Sequence, residues 1–376
     1  MEDSSIPDID TYLNLDKYIP HRCHLTNSDE RDKKDKKDEK DEKYFINSTL
    51  NCLTNMKSFL LYLYKFNDIF QSSDYFTILK ETVNSIFDKI ENADNGNDMS
   101  NKDNDRCSFY PKKITELILK KIPLFKEKSN HDPRVLIDFI FNSFFGVNKS
   151  NISSLDNTHD YSNNDSNTLI SNSLNTTGIN IVIKKKIKCP NIKCERNIET
   201  LESFSTLHFY LPYGADKEYT IYDCFNDFLE KENQQKEYEC KKCSCIFKAE
   251  SKNIIYQLPE DIIIFIYYND EKKDYNDFYY KFEEELDFTK YDFIDNNVKN
   301  KKYFLSSLIA CKYPRTEDEF FYTFCRKNLK SNFLIYYSDF NYLKREVNNV
   351  NNKILKLKTD QYDRNRSYLY VLVYKS

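Results

Sequence analysis

Between residues 44 and 65 the chain reads YFINSTLNCLTNMKSFLLYLYK, and no other stretch limits its folding so tightly. Leu50, Leu53, Phe59, Leu60 and Leu63 recur at mixed three- and four-residue spacing, which lays an apolar stripe along a helix. Similar periodicity runs through Phe76–Ile90 and Ile114–Ile122, on either side of a polar loop near residues 92–106. The pair Asp132-Pro133 is a helix-start signal and predicts a further helix over Arg134–Phe145. From Ile181 onward the period shortens to strands rich in Ile, Phe and Tyr, with one helix expected near Ile221–Lys231. Helices first and strands later predict an α+β arrangement.

A chain of 376 residues is long enough to bury a substantial core. Its 30 Tyr and 28 Phe can fill that core although Trp is absent. The formal charge of −4 is small for this length and points neither to nucleic acid nor to a membrane surface. Charge is gathered instead in the run Asp29–Lys43, whose signs alternate as in a solvated loop. Residues 147–178 are polar and of low complexity, and predict disorder. The opening MEDSSIPDID lacks the apolar segment of a secretory signal, and Ile262–Tyr268 (IIIFIYY) is too short to span a bilayer and reads as a buried strand. Six of the eleven cysteines have no near neighbour, which fits a reducing cytoplasmic or nuclear compartment better than a disulfide framework.

The other cysteines are grouped. Cys189 and Cys194 enclose four residues, Cys240 and Cys243 enclose two, and 45 residues separate the pairs. Zinc prefers four soft ligands in a tetrahedron, and two converging turns on neighbouring hairpins would supply them. The first pair is irregular, with Pro190 inside it, and Cys245 could substitute for Cys243. The plainer alternative is a set of reduced surface cysteines left from a lost site.

Taken in order, these segments resemble the ubiquitin-specific protease family. Residues 44–65 are similar to its catalytic helix, C-[FY]-[IM]-N-S-x-L-Q-x-L, with Phe45, Ile46, Asn47, Ser48, Leu50 and Leu53 matching. His131–Asn142 resembles Q-D-A-x-E-F-L-x-x-L-L-D, keeping Asp132 but with Val135 in the Glu place. Phe144-Phe145-Gly146 resembles the F-x-G before the fingers, and Glu202–Pro212 resembles one strand, E-x-F-x-x-L-x-L-x-I-P. Leu258-Pro259 with the run after it resembles L-P-x-x-L-I-I-x-L-x-R-F, and Tyr368–Tyr374 the closing A-Y-x-L-x-Y. The resemblance implies a papain-like cysteine protease fold of the ubiquitin-specific protease type: helical thumb, β-sheet palm and zinc-ribbon fingers. A single domain over 25–376 is expected, with insertions at 28–43 and 147–180 and an N-terminal arm at 1–24. In the family the four cysteines hold a structural zinc at the fingertips.

The catalytic positions are altered together. A cysteine protease needs a thiolate, a base and a group that orients the base. The nucleophile position is Tyr44, and a phenol with a pKa near 10 is a poor nucleophile. The base position, in Glu319–Phe324, falls on Phe320, and no histidine follows His208. The third position, in Phe333–Asp339, falls on Tyr337 or Ser338. Asn27 aligns with the oxyanion-hole Asn, but Tyr44 follows it by seventeen residues where the family allows five.

The resemblance therefore implies a pseudo-enzyme that binds ubiquitin or a ubiquitin-like protein, or serves as a scaffold in a multiprotein complex. The alternatives are a divergent deubiquitinase and a relic selected only to fold.

Overall fold

The computed structural model describes residues 23–25, 44–65, 74–94, 107–109, 111–127, 130–145, 180–191, 193–194, 197–211, 219–231, 236–240, 242–249, 252–268, 280–290, 301–312, 320–326, 334–337, 346–347 and 367–376. Asn27, Ser338, the run Asp29–Lys43 and residues 147–179 lie outside these. Contacts divide the chain into two units, 1–159 with 306–371 and 160–305 with 372–376.

The first unit opens with the short strand β1 (Cys23–Leu25) and then the helix α1 (Tyr44–Thr54). Three more helices follow, α2 (Lys57–Lys65), α3 (Asp74–Asp94) and, after strand β2 (Cys107–Phe109), α4 (Lys112–Glu116). Strand β1 pairs in parallel with β2. The periodic segment 114–122 is less regular than its spacing predicts. After α4 it widens into a π-turn over Leu117–Lys121, and Pro123 starts a short 3-10 turn. Helix α5 (Pro133–Phe145) begins as expected: Asp132 Oδ1 accepts from the backbone N–H of Arg134 at 2.8 Å, with Pro133 at the first helical position. The apolar stripes meet in a core where Phe59 packs on Phe141 and Phe125 on Phe139.

In the second unit, β3 (Ile181–Lys188) pairs antiparallel with β4 (Asn197–Phe204), and Lys185 reaches across to Glu202 at 2.7 Å. Segment 202–212, expected as one strand, is two. The chain bends at Ser205-Thr206, and β5 (Leu207–Leu211) joins another sheet. After β6 (Tyr219–Thr220), helix α6 (Ile221–Lys231) starts with a capping box: Thr220 N–H donates to Asp223 Oδ2 at 2.8 Å and Asp223 N–H donates to Thr220 Oγ1 at 3.3 Å. Strands β7 (Lys236–Glu239) and β8 (Ile246–Ala249) form a hairpin, and β9 (Lys252–Gln257) pairs with β3. Strand β10 (Asp261–Tyr268) runs parallel to β5, and its residues 262–266 are fully buried, as an all-apolar run requires. Strand β11 (Tyr280–Lys281) pairs with β6, and β12 (Glu285–Asp287) pairs with β13 (Lys302–Lys312). Phe209, Phe225, Phe288 and Tyr303 follow one another edge to face, and the Tyr303 hydroxyl donates to the Pro259 carbonyl at 2.6 Å. Tyrosine thus takes the core role that tryptophan often fills, its polar tip satisfied.

The remaining strands belong largely to the first unit: β14 (Phe320–Arg326), β15 (Leu334–Tyr337), β16 (Glu346–Val347) and β17 (Ser367–Lys375). There the sheet order is β16-β15-β14-β13-β17. Strands β13, β14, β15 and β16 are successively antiparallel. No helix among the described residues is long and apolar enough to cross a membrane.

Candidate functional site

Helix α1 lies against β13 and β14 through a buried polar seam. Thr323 Oγ1 donates to the Ser48 carbonyl at 3.1 Å, and Cys325 Sγ reaches the Asn51 carbonyl at 3.8 Å. Cys52 Sγ and Ser307 Oγ are 3.3 Å apart, and Asn55 Nδ2 donates to the Ser306 carbonyl at 3.0 Å. Residue 48 meets 323 and residue 51 meets 325, so helix and strand advance together, and the start of α1 lies toward the start of β14. Tyr44 is the first residue of α1, about 6 Å along the axis before Ser48. Phe320 is the first residue of β14, in register with Lys312 and about 10 Å before Thr323. Tyr337 is the register partner of Thr323 on β15. One patch of the first unit therefore carries all three described positions.

The packing here is aromatic. Tyr44 is 3% exposed. Next to it, Phe45 stacks on His131, with centroids 4.8 Å apart and planes 12° apart, and also meets Phe125. His131 Nε2 is 3.0 Å from the Phe125 carbonyl, so that nitrogen is engaged in the fold. The cysteines of α1, β13 and β14 are equally enclosed: Cys52, Cys311 and Cys325 are buried. Burial, with Cys52 nearby, pushes the Cys325 thiol well above its ordinary range. A nucleophilic thiol needs the opposite environment.

One constellation here was missed by sequence reasoning. Arg134 donates to both carboxylate oxygens of Asp132, from Nε at 3.0 and 3.1 Å and from Nη2 at 2.5 Å. Its guanidinium carbon sits 4.2 Å from the centroid of Tyr370, which meets Phe321 edge to face at 5.1 Å. Asp132-Pro133-Arg134 announced a helix start, but nothing in the order of residues places Tyr370 above it.

The second unit holds the cysteine cluster. Cys189 and Cys194 lie between β3 and β4, and Cys240 and Cys243 lie between β7 and β8, so two hairpin ends bring the pairs together as their spacing predicts. The four Sγ atoms lie within 4.8 Å of one another. Cys194 to Cys240 is 3.6 Å and Cys189 to Cys243 is 3.7 Å. A tetrahedral zinc with Zn–S near 2.3 Å sets its sulfurs about 3.8 Å apart, so the donor set fits that ion. Backbone N–H groups lower two of the thiols: Cys243, through Cys245, to about 6, and Cys240 through Lys242 and Cys243. Burial pushes Cys189 up to about 11. The cluster can hold a metal ion.

The family model described as ubiquitin carboxyl-terminal hydrolase matches residues 42–374. The chain belongs to that family. No curated protein matches its sequence. Among solved structures it is similar to the SAGA Ubp8/Sgf11/Sus1/Sgf73 DUB module bound to ubiquitin aldehyde, with a TM-score of 0.56 and 14% identity over 96% of this chain and 70% of that one. A form of the same module bound to monoubiquitin gives a TM-score of 0.56 and 15% identity over the same shares. At such identity the likeness is one of fold, and the fold is the α+β arrangement of the ubiquitin-specific protease type. Within the ubiquitin carboxyl-terminal hydrolase family, then, this member opens its α1 with a buried tyrosine.

Proposed function

We propose that this chain is a ubiquitin-specific-protease-like pseudo-enzyme, a binder of ubiquitin or a ubiquitin-like protein, or a scaffold in a multiprotein complex, without hydrolase activity. In this reading Tyr44 stands at the nucleophile position, Phe320 at the base, Tyr337 or Ser338 at the third residue and Asn27 at the oxyanion position, all within one domain over 25–376. The observation that carries it is Tyr44, a buried phenol at the first residue of α1. Loss of a nucleophile alone costs on the order of 10⁶-fold in rate. The neighbouring thiols offer no substitute, since Cys52 and Cys325 are buried and Cys325 is held protonated. Ubiquitin as partner is supported by family membership and by the ubiquitin-bound state of the similar structures. Cys189, Cys194, Cys240 and Cys243 hold a structural zinc, which closes the two hairpin ends and leaves no position open for substrate.

The test is a ubiquitin probe carrying a C-terminal electrophile. The purified chain is expected to form no covalent adduct. Capture mapped to any cysteine would establish the divergent deubiquitinase instead.

A further inference from the structure

Four sulfurs are enough for zinc, yet a fifth lies beside two of the four. Cys245 Sγ lies 3.2 Å from Cys243 Sγ and 3.5 Å from Cys189 Sγ, so Cys189 sees Cys245 as closely as it sees Cys243 at 3.7 Å. This closeness is built into the turn. Alternate residues of a plain strand stand about 6.6 Å apart. Here Ser244, between the two cysteines, has φ of 53°, the left-handed region that a non-glycine residue seldom adopts. The turn is tied at both ends: Ser244 N–H donates to the Cys240 carbonyl at 2.6 Å, and Cys240 N–H donates to the Cys245 carbonyl at 2.9 Å. Cys245 is therefore held at the cluster by the same turn that holds Cys240 and Cys243. Cys243 and Cys245 are equally half-buried, whereas Cys189, Cys194 and Cys240 are buried.

We propose that Cys245 is a fifth, interchangeable metal ligand, able to take the place of Cys243. Zinc in a structural site accepts four ligands, so Cys189, Cys194 and Cys240 supply three and either member of the Cys243/Cys245 pair supplies the fourth. The site then keeps its metal when Cys243 is lost or alkylated. This rests on the reading of the cluster as a zinc site.

The experiment measures metal content and the cobalt(II) absorption of the full chain and its variants, since the intensity of thiolate-to-cobalt charge transfer reports the number of bound sulfurs. The wild type, Cys245→Ala and Cys243→Ala are each expected to bind one equivalent with a four-thiolate spectrum, and the double Cys243→Ala/Cys245→Ala variant to bind none. Loss of metal or of one thiolate in Cys243→Ala alone overturns the interchange, as does retention in the double variant. A wild type without metal removes the zinc reading itself, and the inference with it. Should Cys243→Ala fail to fold, limited alkylation of the metal-loaded wild type decides. Label is expected at both Cys243 and Cys245 with Cys194 and Cys240 protected, and label confined to Cys245 overturns the proposal.

Discussion

Tyr44 shows how one residue separates ancestry from chemistry. The residues after it, Phe45 to Leu53, keep the pattern of a catalytic helix and are buried as such a helix should be, apart from the half-buried Asn51. A thiol at its first position would need a lowered pKa and a base, and the side chain there is a packed phenol. Cys52 and Cys325 give this argument a chemical test. Both are buried, and the Cys325 thiol, pushed above its ordinary range, also carries less thiolate at pH 8, the form that reacts. Maleimide at pH 8 is therefore expected to leave Cys52 and Cys325 unmodified in the native protein and to label them in denaturant. Rapid native labelling of either, read by peptide mass, would show an accessible thiol next to α1. That no histidine follows residue 208 is legible because it can be counted in the sequence. The Arg134–Tyr370 contact was not, because 236 residues of chain separate its partners and only the fold brings them together.

Local pattern also predicts the elements, to the extent that their causes are local. Helix α6 falls at residues 221–231 as read from sequence, because its capping box and apolar spacing lie within the segment itself. The break at Ser205-Thr206 was hidden, since both halves have strand composition and only their pairing, with β3 on one side and β10 on the other, divides them. The seam of α1 against β13 and β14 is another non-local product, and Thr323 is its central residue. Thr323→Val keeps the shape but leaves the Ser48 carbonyl without its side-chain donor, so unfolding free energy is expected to fall by about 1 kcal/mol in denaturant titration. Thr323→Ser, which keeps the hydroxyl, should cost less than Thr323→Val, and a Thr323→Val variant as stable as the wild type would mean that the hydrogen bond contributes nothing. On the zinc reading proposed above, the hairpin ends would depend on metal in the same non-local way. Cys240 is fully buried in the cluster, so Cys240→Ser is expected to release about one equivalent of zinc and loosen both β3–β4 and β7–β8. Because structural zinc contributes on the order of 10 kcal/mol, that variant should become protease-sensitive at those hairpins, and unchanged metal content would show that Cys240 is not a required ligand.

At the scale of the whole molecule the question, on the pseudo-enzyme reading proposed above, is how the chain would still hold ubiquitin. In active members the tail of ubiquitin runs to the cysteine at the start of this helix, where only a Gly-Gly end fits. On the proposed reading the corresponding positions are Tyr44 and Phe320, which open α1 and β14, with Tyr337 in register with Thr323, so aromatic residues would stand in place of a thiol and an imidazole. Tyr44 is itself buried, which argues for a filled end rather than an open one. Binding would then rest on the surfaces that grip the globular part of ubiquitin and be indifferent to the tail. Full-length ubiquitin and ubiquitin lacking its last two glycines are expected to bind with equal affinity, and a large loss on truncation would mean that the tail still enters. The double replacement Tyr44→Cys and Phe320→His is expected to leave hydrolysis undetectable with a fluorogenic ubiquitin substrate. It restores two groups only, while on the same reading the third position remains Tyr337 or Ser338 and sixteen residues, 28–43, still lie where the family's short oxyanion turn should be. Turnover by that variant would show that the oxyanion donor is in place despite the insertion, and that the site was lost by two substitutions alone.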